Sequence, residues 1–317
     1  MAVQSSRRAF LSGRRSDPDP WLLFLSKLRA RQQGVVSLDR QFYESRAHWV
    51  PTTFDDIDAA RILCQQFGVT LCLQGLEATA DSKRLTLVVE PGRAWARPIP
   101  LDPAKGLWRF DAACTMQVLQ AAGVDAAKGA DPNLSLAHWF AMGTHQVVAP
   151  GGLSVLGIHN IEMLFVDGTI EAIGAFGENQ IEPLRSNFMQ RNIPQLFDVA
   201  RQTSLPLCFS TLSPSVAVAQ NWPDGCFRVD ALNDLDGVEP HLGQFFVGHK
   251  GRLGWLVAVT FRAVDKPADH QKDIAKYNGN ASDYANLSAL SEDNNKEVKR
   301  LNHSIKNIFD SHGVFLP

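Results

Sequence analysis

The sequence is most informative at first in what it lacks. Its five cysteines (Cys64, Cys72, Cys114, Cys208 and Cys226) are odd in number, scattered and free of any C-x-x-C pair. That spacing excludes a disulfide framework and a structural zinc site, and fits a reducing, cytoplasmic setting. Most lie in apolar stretches and read as small buried hydrophobes. Charge of one sign is also missing: the formal net charge is -2 at a pI near 6.5. Without a strong field, neither nucleic acid nor an anionic membrane is expected as a partner. No run approaches the roughly 18 apolar residues that span a bilayer, so an integral membrane segment is not expected; membrane association through a partner is the alternative.

Generic catalytic signatures are missing as well. Gly152-Leu153-Ser154-Val155-Leu156-Gly157 is one residue too long for a nucleophile elbow, whose sharp turn depends on its spacing. Gly248, Gly251 and Gly254 do not make a G-x-G-x-x-G fingerprint, and a strand rather than a helix is expected after them. There is no P-loop and no H-E-x-x-H helix, and the nine histidines show no ligand spacing. No metal is expected, and no catalytic acid or base stands out.

What remains is a 317-residue chain, 45% hydrophobic and 20% charged, long enough for one large domain or two modest ones. Ser6-Arg7-Arg8-Ala9-Phe10-Leu11 resembles the opening of a twin-arginine signal, but Gly13-Arg14-Arg15-Ser16-Asp17-Pro18 follows where an apolar stretch belongs. A flexible basic arm is the expectation. Residues 21–31 read as a short amphipathic helix with Leu22, Leu25 and Leu28 on one face. Thr53 and Asp55 offer helix-start chemistry, and Ile57, Ala60, Ile62, Leu63 and Phe67 keep helical spacing until Gly68 stops it.

Strands are expected over 69–73, 85–89 and 107–112, then a helix over 115–122 ending at Gly123. Further on, 158–166 reads as a strand meeting the tight-turn dipeptide Asp167-Gly168, with 169–173 as its hairpin partner. Residues 253–263 form the last strand. Lys266 to Arg300 is too polar to build a core, and helical spacing returns through Val298, Leu301, Ile305 and Ile308.

Four stretches, in order, resemble the FAD-linked oxidases of the p-cresol methylhydroxylase and vanillyl-alcohol oxidase superfamily. Trp49-Val50-Pro51 leads through Asp55-Asp56-Ile57 and a helix to Phe67-Gly68-Val69. Phe165-Val166-Asp167-Gly168-Thr169 is similar to the V-x-A-D-G turn after the second flavin loop. Phe245-Phe246-Val247-Gly248-His249-Lys250-Gly251-Arg252-Leu253-Gly254 is similar to the F-V-G-S-E-G-T-L-G element, and Leu301 to Pro317 to the closing helix and tail. The nearest relatives by this reading are short members such as the FAD-binding subunit of bacterial glycolate oxidase.

The resemblance implies an α+β fold: a PCMH-type FAD-binding domain of two α/β lobes with FAD held between them. Residues 1–44 form the basic N-terminal arm and short helix, 45–265 the FAD-binding domain, and 266–317 a polar linker and C-terminal helix where members carry a cap, leaving that cap vestigial. It implies flavin contacts at Gly75, Thr79, Gly143, Gly248, Gly251 and Gly254, and a hetero-oligomer with a cap-bearing flavoprotein or electron-transfer subunit.

The implied function is a glycolate or 2-hydroxyacid oxidase-like subunit whose flavin accepts hydride. The alternative is a flavin-free scaffold or assembly subunit. The charged first loop and the missing cap favour that alternative. Where the family has R-G-G-G-T-S, this chain has Gln74-Gly75-Leu76-Glu77-Ala78-Thr79, so Leu76 is expected to add bulk and Glu77 a carboxylate beside the phosphates. His138-Trp139 stand where the family has paired glycines; His138 or His145 as a covalent flavin tether is disfavoured against an ordinary bonded histidine.

Overall fold

A computed structural model describes residues 19–31, 34–39, 45–77, 84–92, 96–143, 152–175, 184–202, 226–232, 241–262 and 292–317. The basic arm, Thr79, His145, the Pro150-Gly151 turn, Cys208 and the polar stretch up to 291 lie outside the described residues.

The fold is mixed α/β and carries two sheets. Helix α1 (Pro20–Arg31) leads into β1 (Gly34–Leu38) and β2 (Arg46–Pro51), which pair antiparallel. Helix α2 (Phe54–Phe67) then crosses to β3 (Thr70–Leu73), and β4 (Thr86–Val89) runs parallel to both β2 and β3. The order in this sheet is β1-β2-β4-β3. Every residue of β3 and β4 is buried, which is why these strands read as continuous apolar runs rather than alternating ones.

Local chemistry sets the limits of α2. The Thr53 hydroxyl accepts from the Asp56 amide while the Asp56 carboxylate accepts from the Thr53 amide, a reciprocal cap. Gly68, at φ 63°, ends the helix in the left-handed region. Ile57, Ala60, Leu63 and Cys64 face inward. Against them lies α1, through Trp21, Phe24, Leu25 and Leu28, with Trp21 and Phe24 stacked at 5.5 Å and Phe24 edge-on to Phe67 at 6.0 Å. Leu22 does not join that face: it is 61% exposed. Steps of three fall short of the helical repeat, so a face at i, i+3, i+4 and i+7 buries Trp21, Phe24, Leu25 and Leu28 and turns Leu22 outward.

The second sheet is antiparallel in the order β5-β6-β9-β7-β8, with β5 (Pro98–Asp102), β6 (Leu107–Asp111), β7 (Ile158–Leu164), β8 (Ile170–Gly174) and β9 (Trp255–Arg262). Between β6 and β7 stand α3 (Met116–Ala121), α4 (Leu136–Met142) and the single turn α5 (Gly152–Val155). The Asp167-Gly168 hairpin forms as expected, Gly168 at φ 90°. Its turn is bound to α2 by buried Arg61, which donates to the Val166 carbonyl and, at 2.8 Å, to Asp58. A Cβ on Gly168 would stand 2.7 Å from the Arg61 guanidinium, so this glycine serves packing as well as turn geometry.

Helix α6 (Asn187–Gln202) packs against α7 (Glu292–Phe309). Phe309 sits among Phe165, Phe188, Phe245 and Phe246 at ring separations of 5.4 to 6.2 Å. Beyond α7 the tail returns to the first sheet: the Leu71 amide donates to the Val314 carbonyl at 2.7 Å, and Phe315 pairs with Leu71 outside β3. A buried pair fixes this return. Lys306 Nζ donates to Asp310 at 2.6 Å and to the Arg252 carbonyl at 2.8 Å, while Asp310 accepts from the Val314 and Phe315 amides at 2.9 and 2.8 Å.

Cys64, Cys72, Cys114 and Cys226 are buried thiols outside any disulfide. Burial pushes the Cys72 and Cys114 thiols up to about 12, which makes them inert packing groups. Among the described residues no helix is long and apolar enough to cross a membrane, and no three metal-binding side chains cluster.

Candidate functional site

The structure gathers the glycine-bearing segments around the C-terminal end of β3. Gly75 follows that strand in the left-handed region at φ 89°, its turn tied back by the Gln74 amide on the Val89 carbonyl at 2.9 Å. The Gly75 N–H does not face an open cradle. It donates to both oxygens of the Glu77 carboxylate at 2.9 Å each. The glycine's bare Cα face is covered too: a Cβ there would stand 2.4 Å from Cε1 of the His138 ring.

His138 reaches this position because Ser135 caps α4, its hydroxyl accepting from the His138 amide at 3.2 Å. The ring then lies 3.2 Å through Nδ1 from the Gln74 carbonyl, so Nδ1 carries the proton and donates. His138 thus has an ordinary backbone partner.

Leu76 corrects one expectation from sequence. It is only 2% exposed, turned inward against Gly251, where a Cβ would come within 3.4 Å of its Cδ1. The apolar side chain leaves the polar side of the turn for the core. Bulk at the Gly75 turn comes from His138 instead.

Of the remaining predicted glycines, Gly143 and Gly254 meet protein at close range, while Gly248 and Gly251 stand in ordinary contact with it. Gly143 ends α4 at φ 59°, and a Cβ on it would stand 2.7 Å from Gly248 Cα. Gly248 in turn donates to the Phe140 carbonyl at 3.0 Å, and Lys250, itself at φ 51°, donates to the Ala141 carbonyl at 2.8 Å. Gly251 faces Leu76 and Leu316. A Cβ on Gly254 would lie 2.8 Å from the Leu164 carbonyl of β7.

His249, between these glycines, was not singled out by its sequence context. It is 2% exposed, and neither ring nitrogen has a hydrogen-bond partner. Burial, reinforced by the charges of Lys306 and Arg252, lowers its pKa to about 3, so the ring is neutral. With Gly251, Gly254, Leu73, Ala137 and Trp255 it lines a cavity of about 10 Å³. That is room for about one water, against the roughly 300 Å³ or more of a small-molecule site.

Neither a family model nor a curated protein matches this chain. Solved structures share only a distant likeness. Physcomitrella patens BBE-like 1 is 13% identical at a TM-score of 0.40, over 75% of this chain and 44% of that one. An alkyldihydroxyacetonephosphate synthase is 10% identical at a TM-score of 0.43, over 78% and 41%. A variant of Phl p 4 described as a glucose oxidase is 10% identical at a TM-score of 0.39, over 75% and 43%. The chain therefore spans less than half the length of these structures.

The described residues fit a dinucleotide poorly at the Gly75 turn. Its amide already holds a carboxylate, and a phosphate brought to about 5 Å would meet repulsion of about 3 kcal/mol per charge at an effective dielectric of 20. His138 covers the approach to the glycine itself.

Proposed function

We propose that this chain is a flavin-free member of the FAD-linked oxidase scaffold, acting as a non-catalytic assembly subunit of a hetero-oligomeric, 2-hydroxyacid oxidase-like complex. One observation carries the reading: the Gly75 amide, the donor that a phosphate would need, is taken by Glu77 of the same turn. His138 over Gly75 and the backbone contact of Gly143 with Gly248 support it. The scaffold's two lobes are kept in this reading, the cap is vestigial, and a cap-bearing flavoprotein partner supplies the redox chemistry. Residues 266–300 are too polar to form the apolar wall of a substrate pocket.

The visible absorption spectrum of the purified protein tests this, alone and after co-expression with its partner. The expected result is a colourless chain in isolation and a complex whose flavin content is accounted for by the partner. A flavin band that stays with this chain through gel filtration overturns the proposal. It would restore the reading in which the chain carries FAD as hydride acceptor and passes electrons to its partner.

A further inference from the structure

We propose that β1 is a self-association edge through which two copies of this chain join their four-stranded sheets across a two-fold axis. The inference stands apart from the cofactor reading and rests on the hydrogen-bond phase of the strand.

The pairing of β1 with β2 fixes which backbone groups point outward. The Asp39 amide donates to the Arg46 carbonyl, and the register runs Leu38 to Ala47, Ser37 to His48 and Val35 to Val50. Hydrogen-bonded and non-hydrogen-bonded pairs alternate along an antiparallel ladder. Val35, Ser37 and Asp39 therefore turn their N–H and C=O groups toward β2. Gly34, Val36 and Leu38 turn theirs away from the sheet. The far side of β2 agrees, since the Ser45 and Trp49 carbonyls accept from Thr86 and Glu90 at the β4 side.

Other edges are treated differently. The same phase argument applied to β5, where the Asp111 amide donates to the Arg97 carbonyl, leaves Pro98 and Pro100 as the outward residues, and neither has an N–H. That is an edge blocked against further pairing. The outer side of β3 is covered by Val314 and Phe315, and the end of β8 is bridged at Ala175 by His241. Among the described residues β1 has no such guard. It contains neither proline nor a charged residue, and Val35 and Leu38 are 70% and 42% exposed.

A second copy suits this edge on grounds of both charge and geometry. An uncharged strand meets its own copy without like-charge repulsion. In the antiparallel register centred on Val36, Val36 faces Val36 of the other copy, and Gly34 faces Leu38. Each outward N–H then meets an outward C=O, and the side chain of Leu38 lies opposite a residue that has none. This is an isologous, closed contact, which ends the pairing at two copies. One short strand per side is far less than the about 20–30 residues per side of a stable interface. The dimer is accordingly weak and forms only at high protein concentration.

The centred register also places Val35 opposite Ser37 of the other copy on one face, which gives a specific test. Sedimentation equilibrium over about 5 to 500 µM should show wild-type protein passing from monomer to dimer. Val35→Lys with Ser37→Lys sets like charges opposite each other and should keep the protein monomeric throughout. Val35→Lys with Ser37→Glu sets opposite charges together and should restore the dimer. Val36→Pro, which removes an outward N–H and leaves the β2 ladder intact, should again give monomer. A wild-type protein monomeric over the whole range overturns the proposal, and so does a dimer indifferent to the paired lysines or to Val36→Pro. A dimer lost in the lysine pair but not restored by lysine with glutamate refutes the Val36-centred register.

Discussion

Replacing His249 with leucine should stabilise this protein, an unusual outcome for a core substitution. The imidazole is 2% exposed with both nitrogens unpartnered, and a buried polar group left unsatisfied costs about 1–3 kcal/mol. Leucine removes that cost at similar volume, beside a cavity of about 10 Å³ that absorbs the difference in shape. At neutral pH the variant should be about 1–2 kcal/mol more stable than wild type. The gap should widen in acid. Folded His249 has its pKa lowered to about 3, against 6.5 for an exposed imidazole. Between those values the unfolded chain binds a proton that the folded one refuses, so stability falls as pH falls. From pH 7.5 to pH 5.0 this one residue should cost wild type about 2 kcal/mol. The assay is equilibrium urea unfolding, followed by tryptophan fluorescence at both pH values, for wild type and His249→Leu. A variant less stable than wild type at pH 7.5, or one losing as much stability on acidification, refutes the reasoning.

Two further substitutions probe the supports of the site. Asp310→Ala strands the Lys306 ammonium and two backbone amides in the interior and should cost about 3–5 kcal/mol, read as a lower urea midpoint; a loss under about 1 kcal/mol would show that the tail is held by other contacts. Gly143→Ala forces a Cβ to within 2.7 Å of Gly248 Cα at a φ of 59° and should destabilise by about 1–3 kcal/mol in thermal melts. An unchanged melting temperature would mean that the contact between α4 and the 248–254 loop is not close.

Where the determinants are local, the sequence alone settles the structure. Thr53, Asp56 and Gly68 delimit α2 by capping chemistry confined to one turn at each end. Asp167-Gly168 makes its hairpin because few residue pairs adopt that turn. The Asp167-Gly168 turn located β7, a continuous apolar run located β9, and the 3-4 repeat located α7. β1 was not legible, since five residues without alternation carry no periodic signal, and only its partner β2 makes them a strand. Leu22 was misplaced because periodicity gives a repeat, while the face that is buried depends on what packs there.

The candidate site divides in the same way. The glycines at 75, 143, 248, 251 and 254 announce in sequence that backbone is approached closely, but a missing side chain does not say by what. Tertiary structure supplies the neighbours: His138 and Glu77 at Gly75, Gly248 at Gly143, Leu76 at Gly251 and the Leu164 carbonyl at Gly254. Those contacts join residues as much as 175 positions apart, Leu76 and Gly251. Only packing brings them together, and only packing distinguishes a glycine that admits a ligand from one that admits the protein itself.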